Sequence, residues 1–261
     1  MKISEAKIRE SFGHRGLSFE PPIFIYDTVG STNDIARETC KKSNTGYTLI
    51  IADEQERGRG RLGRSFISKG GGGLYMSIIA PLKHNASDPA LITAYTAVAV
   101  RRALFNLCGA SAGIKWVNDI ILGERKLGGI LVEGVINPDT MLLNRCIVGI
   151  GINTHGYTLP PEIDAIATTL EREGHTILRE ELAAEIYMQF IKDFHLIATR
   201  EIAKEYKSYS TVIDKAVRVI KPTASYHAHV VDITDKCELV LALPDGKSEI
   251  LRTGEVSIRE V

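Results

Sequence analysis

The sequence predicts an α+β domain followed by a small all-β domain, and three observations carry that prediction. From about residue 214 the chain turns into short alternating strands, "AVRVIKP", "HAHVVDIT", "CELVLALPDGKSEIL" and "GEVSIREV", separated by turn residues that include Asp245-Gly246. Upstream, "GIKWVNDIIL" (113–122), "KLGGILVEGVI" (126–136) and "RCIVGIGINT" (145–154) read as three consecutive strands joined by short turns, an antiparallel meander. Before them, "SDPALITAYTAVAVRRALFNLCG" (87–109) reads as a long helix, with Ser87 or Asp88 as cap, Pro89 in the first turn and Gly109 at the close.

The remaining elements follow in order. Residues 4–12 suit a short amphipathic helix, and "PPIFIYDTV" (21–29) is a strand rich in aromatic and β-branched residues. In "GSTNDIARETCKK" Ser31 or Thr32 can cap a helix that turns Ile35 and Cys40 inward. "YTLIIAD" (47–53) is a second strand. The polar loop "EQERGRGRLGRSFISKGGGG" follows, and "LYMSIIA" (74–80) resumes strand character. Residues 160–209 read as mostly helical, with Leu182, Ile186, Phe190, Phe194 and Ile197 at helical spacing.

Bulk properties narrow the function. At 261 residues there is room for one large domain and a small one. Lys+Arg and Asp+Glu are equal at 32, a poor footing for general nucleic-acid or membrane binding. The cysteines Cys40, Cys108, Cys146 and Cys237 are scattered, without a C-x-x-C or a His pair at metal spacing. They read as free thiols in a reducing compartment. The N-terminus has no apolar signal core, and no run approaches a membrane span, so a cytoplasmic protein is expected.

The segment "GRGRLGR" (58–64) matches G-x-G-x-x-G through Gly58, Gly60 and Gly63. A dinucleotide fold needs a strand running straight into a helix there, and "RSFISKGGGG" is too glycine-rich to be that helix. A Walker A loop is missing too: Gly246-Lys247-Ser248 has Leu241 where the first glycine must stand. Arg57, Arg59, Arg61 and Arg64 crowd into eight residues, a density that repels unless an anion or carboxylate neutralises it. On composition alone the loop reads equally as an anion site and as a solvated loop.

Further motifs surround it. "GSTN" (30–33) puts hydroxyl and amide side chains at a helix start. "KWVND" (115–119) gathers a charge, an aromatic, an amide and a carboxylate. "RKLGGILVE" (125–133) sets Lys126 before Gly128-Gly129, where a ligand or backbone can approach closely, and "GIGIN" (149–153) ends in Asn153. Taken singly, each has an ordinary structural reading. His227 and His229 alternate on one strand without a third ligand nearby and read as plain strand residues.

In this order the motifs "STN", "GRGRLGR", "KWVND", "KLGGILVE" and "GIGIN" resemble those of biotin protein ligase, which attaches biotin to biotin-dependent carboxylases. The resemblance spans about residues 30–153, and the small C-terminal β domain fits the family's layout. It implies a catalytic domain (1–212) related to lipoate ligases and class II tRNA synthetases, with a mixed, largely antiparallel sheet. An SH3-like barrel (213–261) would follow. Some members carry an N-terminal DNA-binding domain; here the first catalytic strand starts near Pro22, so a form without that domain is expected. Two departures stand out. Val117 replaces the proline usual in Lys-Trp-Pro-Asn-Asp, with little consequence expected because a strand tolerates Val well, and Phe66 stands where the family commonly has Trp.

The resemblance implies biotin and ATP with Mg²⁺ as reactants, no dedicated metal site in the protein, and a biotin carboxyl carrier domain as acceptor. It implies no part for DNA or a membrane, and it allows a homodimer. Ser31, Thr32 and Asn33 would contact the biotin head group, with Gln55 and Arg59. Gly58, Arg59, Gly60 and Arg61 would fold over the ligand, and Gly128, Gly129 and Ile130 would form the floor. Lys126 would bridge the biotin carboxylate and the α-phosphate, with Arg59 and Arg61 on the phosphate and carboxylate. Arg64, Phe66, Asn118 and Asn153 would line the nucleotide side. Asp119 would orient the site, hold Mg²⁺ or assist the acceptor lysine. A lipoate or octanoate ligase or transferase is the nearest rival, expected to lack the double-arginine loop. A non-catalytic biotin sensor and an RNA-binding protein are the readings from other classes.

Overall fold

Among the described residues, twelve strands pair into two sheets in the computed structural model. It describes residues 2–257 apart from 15, 18–20, 43–45, 69–70, 83–87, 138–139, 156–160, 198–199 and 222–223. The first sheet runs in the order β1 (Ile23–Val29), β2 (Thr48–Gln55), β3 (Gly73–Pro81), β7 (Leu143–Asn153), β6 (Arg125–Ile136), β5 (Asp119–Leu122), β4 (Gly113–Lys115). Only β1 and β2 are parallel, joined through helix α2 (Thr32–Lys42); every other neighbour is antiparallel. The expected mixed, largely antiparallel sheet is therefore present.

Period-two alternation assigns the two faces of this sheet. Along β3, Leu74, Met76, Ile78 and Ala80 enter the main core, while Ile79 packs on the opposite face with Ala36 and Cys40 of α2. The main-core face is covered by α1 (Glu5–His14), α3 (Pro89–Cys108), α5 (Arg179–Asp193) and α6 (Arg200–Ser208). On the other face α2 covers only one end, leaving the centre of β3, β7 and β6 open for a site.

Helix α3 forms where its caps demand. The Asp88 carboxylate accepts from Ala90 N at 2.8 Å, Pro89 opens the helix, and Gly109 ends it at φ +70°. Ser87, the alternative cap, lies outside the described residues. This helix is long and apolar enough to cross a membrane, but 61% of that window is buried inside the protein, as befits a core helix.

One segment departs from the sequence reading. The stretch 113–122 is not one strand: β4 and β5 form a hairpin broken at residues 116–118. Val117 thus sits in a buried turn, its carbonyl accepting from Tyr206 Oη at 3.2 Å, and Trp116 Nε1 donates to Cys237 O at 2.8 Å. Both anchors come from more than 80 residues away, which local alternation cannot register. Residues 160–209 are mostly helical, as expected. After α4 (Pro161–Asp164) the chain holds only one 3-10 turn, Glu171–Glu173, before α5. Phe194 and Ile197 stay in the core although they lie beyond the end of α5.

The second sheet is antiparallel throughout, ordered β11 (Ser248–Leu251), β10 (Leu239–Ala242), β9 (Ala224–Ile233), β8 (Ala216–Lys221), β12 (Glu255–Ser257). Asp245-Gly246 makes the β10–β11 turn, with Gly246 at φ +81°. Val217, Val219, Val230, Leu239, Leu241 and Val256 continue the main core, with β9 set against α6. His227 and His229 are exposed on β9.

Candidate active site

The open face of the first sheet is floored by glycine. Register puts Tyr75, Gly151 and Gly129 side by side on β3, β7 and β6, with Ser77, Gly149 and Leu131 in the next row. A Cβ on Gly149 would collide with Asn33 Oδ1, and one on Gly151 would come within 2.6 Å of Phe66 Cε1. These two positions must lack a side chain for Asn33 and Phe66 to lie down on the sheet. The cavity above them measures about 120 Å³ and opens beside a wider groove of about 1410 Å³.

The start of α2 makes one wall. Gln55 Oε1 accepts from Thr32 N at 2.9 Å, from Thr32 Oγ1 at 3.2 Å and from Ser31 Oγ at 3.5 Å. Gln55 Nε2 in turn donates to Ser68 Oγ at 2.8 Å. Ser77 Oγ lies 2.7 Å from both Thr32 Oγ1 and Asn33 Oδ1, and Asn33 Nδ2 donates to Glu133 Oε2 at 2.7 Å. Ser31, Thr32 and Asn33 are all nearly buried, so this polar lattice is rigid and turned into the cavity.

Residues 58–66 cross the mouth as a closed loop. Phe66 N donates to Gly58 O at 2.8 Å, Gly60 N to Arg64 O at 2.7 Å, and Arg59 pairs with Ser65. Gly63, at φ +74°, turns the tip. The two central arginines diverge. Arg59 forms ion pairs with Asp34 at 2.7 Å and Glu133 at 3.0 Å. Arg61 points to the opposite end, 3.3 Å from Asn118 Oδ1 and 3.5 Å from Gly254 O. Burial lowers the Arg61 pKa, with Asp119 and Glu255 acting in the opposite sense. Arg64 reaches the second sheet, 2.7 Å from Glu255.

Lys126 stands at the far end of the floor with Nζ 2.6 Å from Asp119 Oδ1. Its backbone is held on the outer side: Lys126 N donates to Ile166 O and Thr168 N to Lys126 O, both at 2.9 Å. Asn118 is fixed by Nδ2 donating to Ile130 O at 3.1 Å. Two cations and an amide converge there, over a floor without side chains.

The comparisons cover nearly all of this. Residues 26–153 match the biotin/lipoate A/B protein ligase family, and residues 212–259 match the biotin protein ligase C-terminal domain. Every residue lining the central cavity falls inside those two segments. The chain is 30% identical over 255 residues to the bifunctional ligase/repressor BirA of Bacillus subtilis, covering 95% of this chain and 77% of that protein. The chain belongs to the biotin protein ligase family.

A biotin–[acetyl-CoA-carboxylase] ligase of Mycobacterium tuberculosis is 28% identical over 97% of this chain and 95% of its own. The biotin protein ligase of Aquifex aeolicus, solved in complex with biotin and ATP, superposes with a TM-score of 0.77 at 26% identity. The match covers 92% of this chain and 99% of that one.

Within the ligase, the cavity brings together Ser31, Thr32, Asn33, Gln55, Arg59, Gly60, Arg61, Arg64, Phe66, Asn118, Asp119, Lys126, Gly129 and the backbone of Ile130. Gly58 lies beneath the loop, where a Cβ would strike Phe66 O. Two expected residues sit elsewhere. Gly128 faces the core side, crowded by Ile152, and the Ile130 side chain is buried there as well. Asn153 lines the wider groove, its Nδ2 donating to Thr168 O at 3.0 Å while its buried Oδ1 has no partner among the described residues.

Sequence reasoning missed Gly149, Gly151, Ser77, Asp34, Glu133 and Glu255. The repeat of glycine at 149 and 151 was the available signal, since period two places both on one face. Among the described residues no group of three His, Cys, Asp or Glu could hold a metal ion. The donor set offers Asp119 alone beside Lys126, which suits a Mg²⁺ ion carried chiefly by triphosphate oxygens rather than by a protein cage.

Proposed function

We propose that this ligase joins biotin to ATP as biotinyl-5′-AMP and then transfers the biotinyl group to a lysine of a biotin carboxyl carrier domain. In the first step a biotin carboxylate oxygen bonds to the α-phosphorus while the bond to the β-phosphate oxygen breaks and pyrophosphate leaves. In the second, the acceptor amine attacks the acyl carbon, the bond to the AMP oxygen breaks, and the amine gives up a proton.

The first step brings two anions together and the second lets negative charge grow on the departing AMP phosphate, so fixed cations are the main requirement. The observation that carries the reading is the convergence of Lys126 and Arg61 over the Gly129–Gly149–Gly151 floor. In this reading Lys126 spans the biotin carboxylate and the α-phosphate, and Arg61 stabilises the charge that grows on the phosphoryl oxygens. The lattice of Ser31, Thr32, Asn33 and Gln55 supplies donors and acceptors for the biotin head group. Gly58, Arg59 and Gly60 close over it. Phe66 offers an aromatic face without an indole N–H, and Arg64, Asn118 and Asn153 flank the nucleotide. Asp119 holds the Lys126 ammonium. Asp119 is also placed to hold a Mg²⁺ ion brought with ATP, which would screen the phosphate charge.

The chemistry is proposed for residues 1–212, with the second domain, 213–261, closing the nucleotide end through Gly254 and Glu255. The reading gives DNA and membranes no part, and it is written for one chain, paired or not. The reading puts the protein in the cytoplasm, where ATP is at hand and a reducing milieu suits its free cysteines.

The test is pyrophosphate release with ATP and either biotin or lipoate, followed by mass spectrometry of a carrier domain. Biotin-dependent release and a biotinyl-sized mass gain on one lysine are expected. Release with lipoate but not biotin would move the chain to the lipoate ligases.

A further inference from the structure

Four charged side chains outside the reacting end form a closed ring. Arg59 bridges Asp34 at 2.7 Å and Glu133 at 3.0 Å, and Arg37 bridges the same two oxygens at 3.0 Å and 2.6 Å. Asp34 and Arg37 stand on α2 and Glu133 on β6, both fixed elements, whereas Arg59 belongs to the loop. Glu133 is further fixed by Asn33 Nδ2 on its second oxygen. Arg37 neutralises only half of the carboxylate charge, so the ring is balanced when Arg59 is seated and carries one uncompensated negative charge when it leaves. At the opposite edge the same loop is pinned to a different body by Arg64–Glu255. Arg61, between the two pins, makes no ion pair of its own among the described residues and is aimed along the cavity.

We infer that Asp34 and Glu133 are positioning residues: they form a latch that seats Arg59, holds the loop shut and sets how long the acyl-adenylate stays bound. The second half of this inference rests on the proposed function; the first does not. A latch of this kind explains why two arginines two residues apart point to opposite ends of one cavity. Arg59 fastens, and Arg61 is thereby oriented. The pairs are 38–42% exposed except at Glu133, so the hold is weak enough to open in each cycle and sensitive to salt.

The loop carries its own reporter, because Arg59, Arg61 and Arg64 are trypsin sites. Limited trypsinolysis of the intact chain should cut at Arg61 and Arg64 about five- to tenfold faster in Asp34→Asn and Glu133→Gln, with an unchanged thermal midpoint. Asp34→Glu, which keeps the charge, should restore protection. Raising salt should speed cutting of the wild type and have little effect on a variant carrying both Asp34→Asn and Glu133→Gln. In parallel, Asp34→Asn should release free biotinyl-AMP, trapped with hydroxylamine, several-fold faster than wild type. Unchanged cleavage in both neutral variants would overturn the latch. Faster cleavage with unchanged release would overturn its hold on the intermediate. If the wild type formed no adenylate, the functional reading would fall, and the cleavage rates would still decide the latch.

Discussion

Lys126 Nζ and Asp119 Oδ1 stand 2.6 Å apart on neighbouring antiparallel strands, at the mouth of the glycine-floored cavity. The carboxylate fixes the ammonium where an incoming anion must meet it, and the pair is open enough for that anion to compete. Lys126→Ala should therefore slow biotin-dependent pyrophosphate release by about 10²–10³-fold with an unchanged thermal midpoint. Asp119→Asn, which frees rather than removes the ammonium, should cost less. Full activity in Lys126→Ala would show that the reacting end lies elsewhere.

Arg61 is partly desolvated and held by two weak contacts, at 3.3 Å and 3.5 Å, rather than by a carboxylate. Such a guanidinium gains most from a ligand anion. Removing it should leave biotin binding nearly intact and let biotinyl-AMP escape about ten- to a hundredfold faster. The check is biotinylation of an unrelated lysine-rich protein in the same tube: Arg61→Ala should label it, and wild type should not.

The floor makes a prediction that separates site from scaffold. Asn33 cannot retreat from a methyl at position 149, because Ser77 and Glu133 hold both ends of its amide. Gly149→Ala should raise KM for biotin about tenfold, equivalent to an overpacking cost of about 1–3 kcal/mol at the site. Gly128→Ala would instead press on Gly151 O and Ile152 on the core side, so it should lower the thermal midpoint and spare KM in the folded fraction. Equal effects of the two substitutions on KM would contradict this assignment of faces.

Much of this architecture could be read locally, and the parts that could not have a common cause. Helix α3 announces itself through Asp88, Pro89 and Gly109, and the β10–β11 turn through Asp245-Gly246, since each signal lies within the element it ends. The break at 116–118 depends on Cys237 and Tyr206, and Glu133 acquires its role from Arg37 and Arg59, 96 and 74 residues away. Alternation shows that Gly149 and Gly151 share a face but not which face receives a ligand, because that is settled only when α2 packs across β2, β3 and β7. Gly128 and Gly129 illustrate the same limit: adjacent in sequence, they face the core and the site respectively.

Stability at high pH tests the burial of the thiols. Burial pushes Cys146 and Cys237 up to about 12 from an ordinary 9.0, with Cys40 adding to the effect on Cys146 and nearby carboxylates to that on Cys237. Between those values the unfolded chain gives up the thiol protons and the native chain keeps them. The native state then binds more protons, so stability is complete below pH 9 and falls as pH rises towards 12. Each thiol contributes a slope of about 1.4 kcal/mol per pH unit in that window. Tyr206, raised well above its ordinary 10.0 by burial, steepens the fall in the same direction. Denaturant midpoints should be flat from pH 7 to 9 and drop beyond it. Cys146→Ala, although less stable throughout because of the cavity it leaves, should show a shallower decline above pH 9. An identical decline in that variant would mean that Cys146 titrates normally in the native state and is open to solvent.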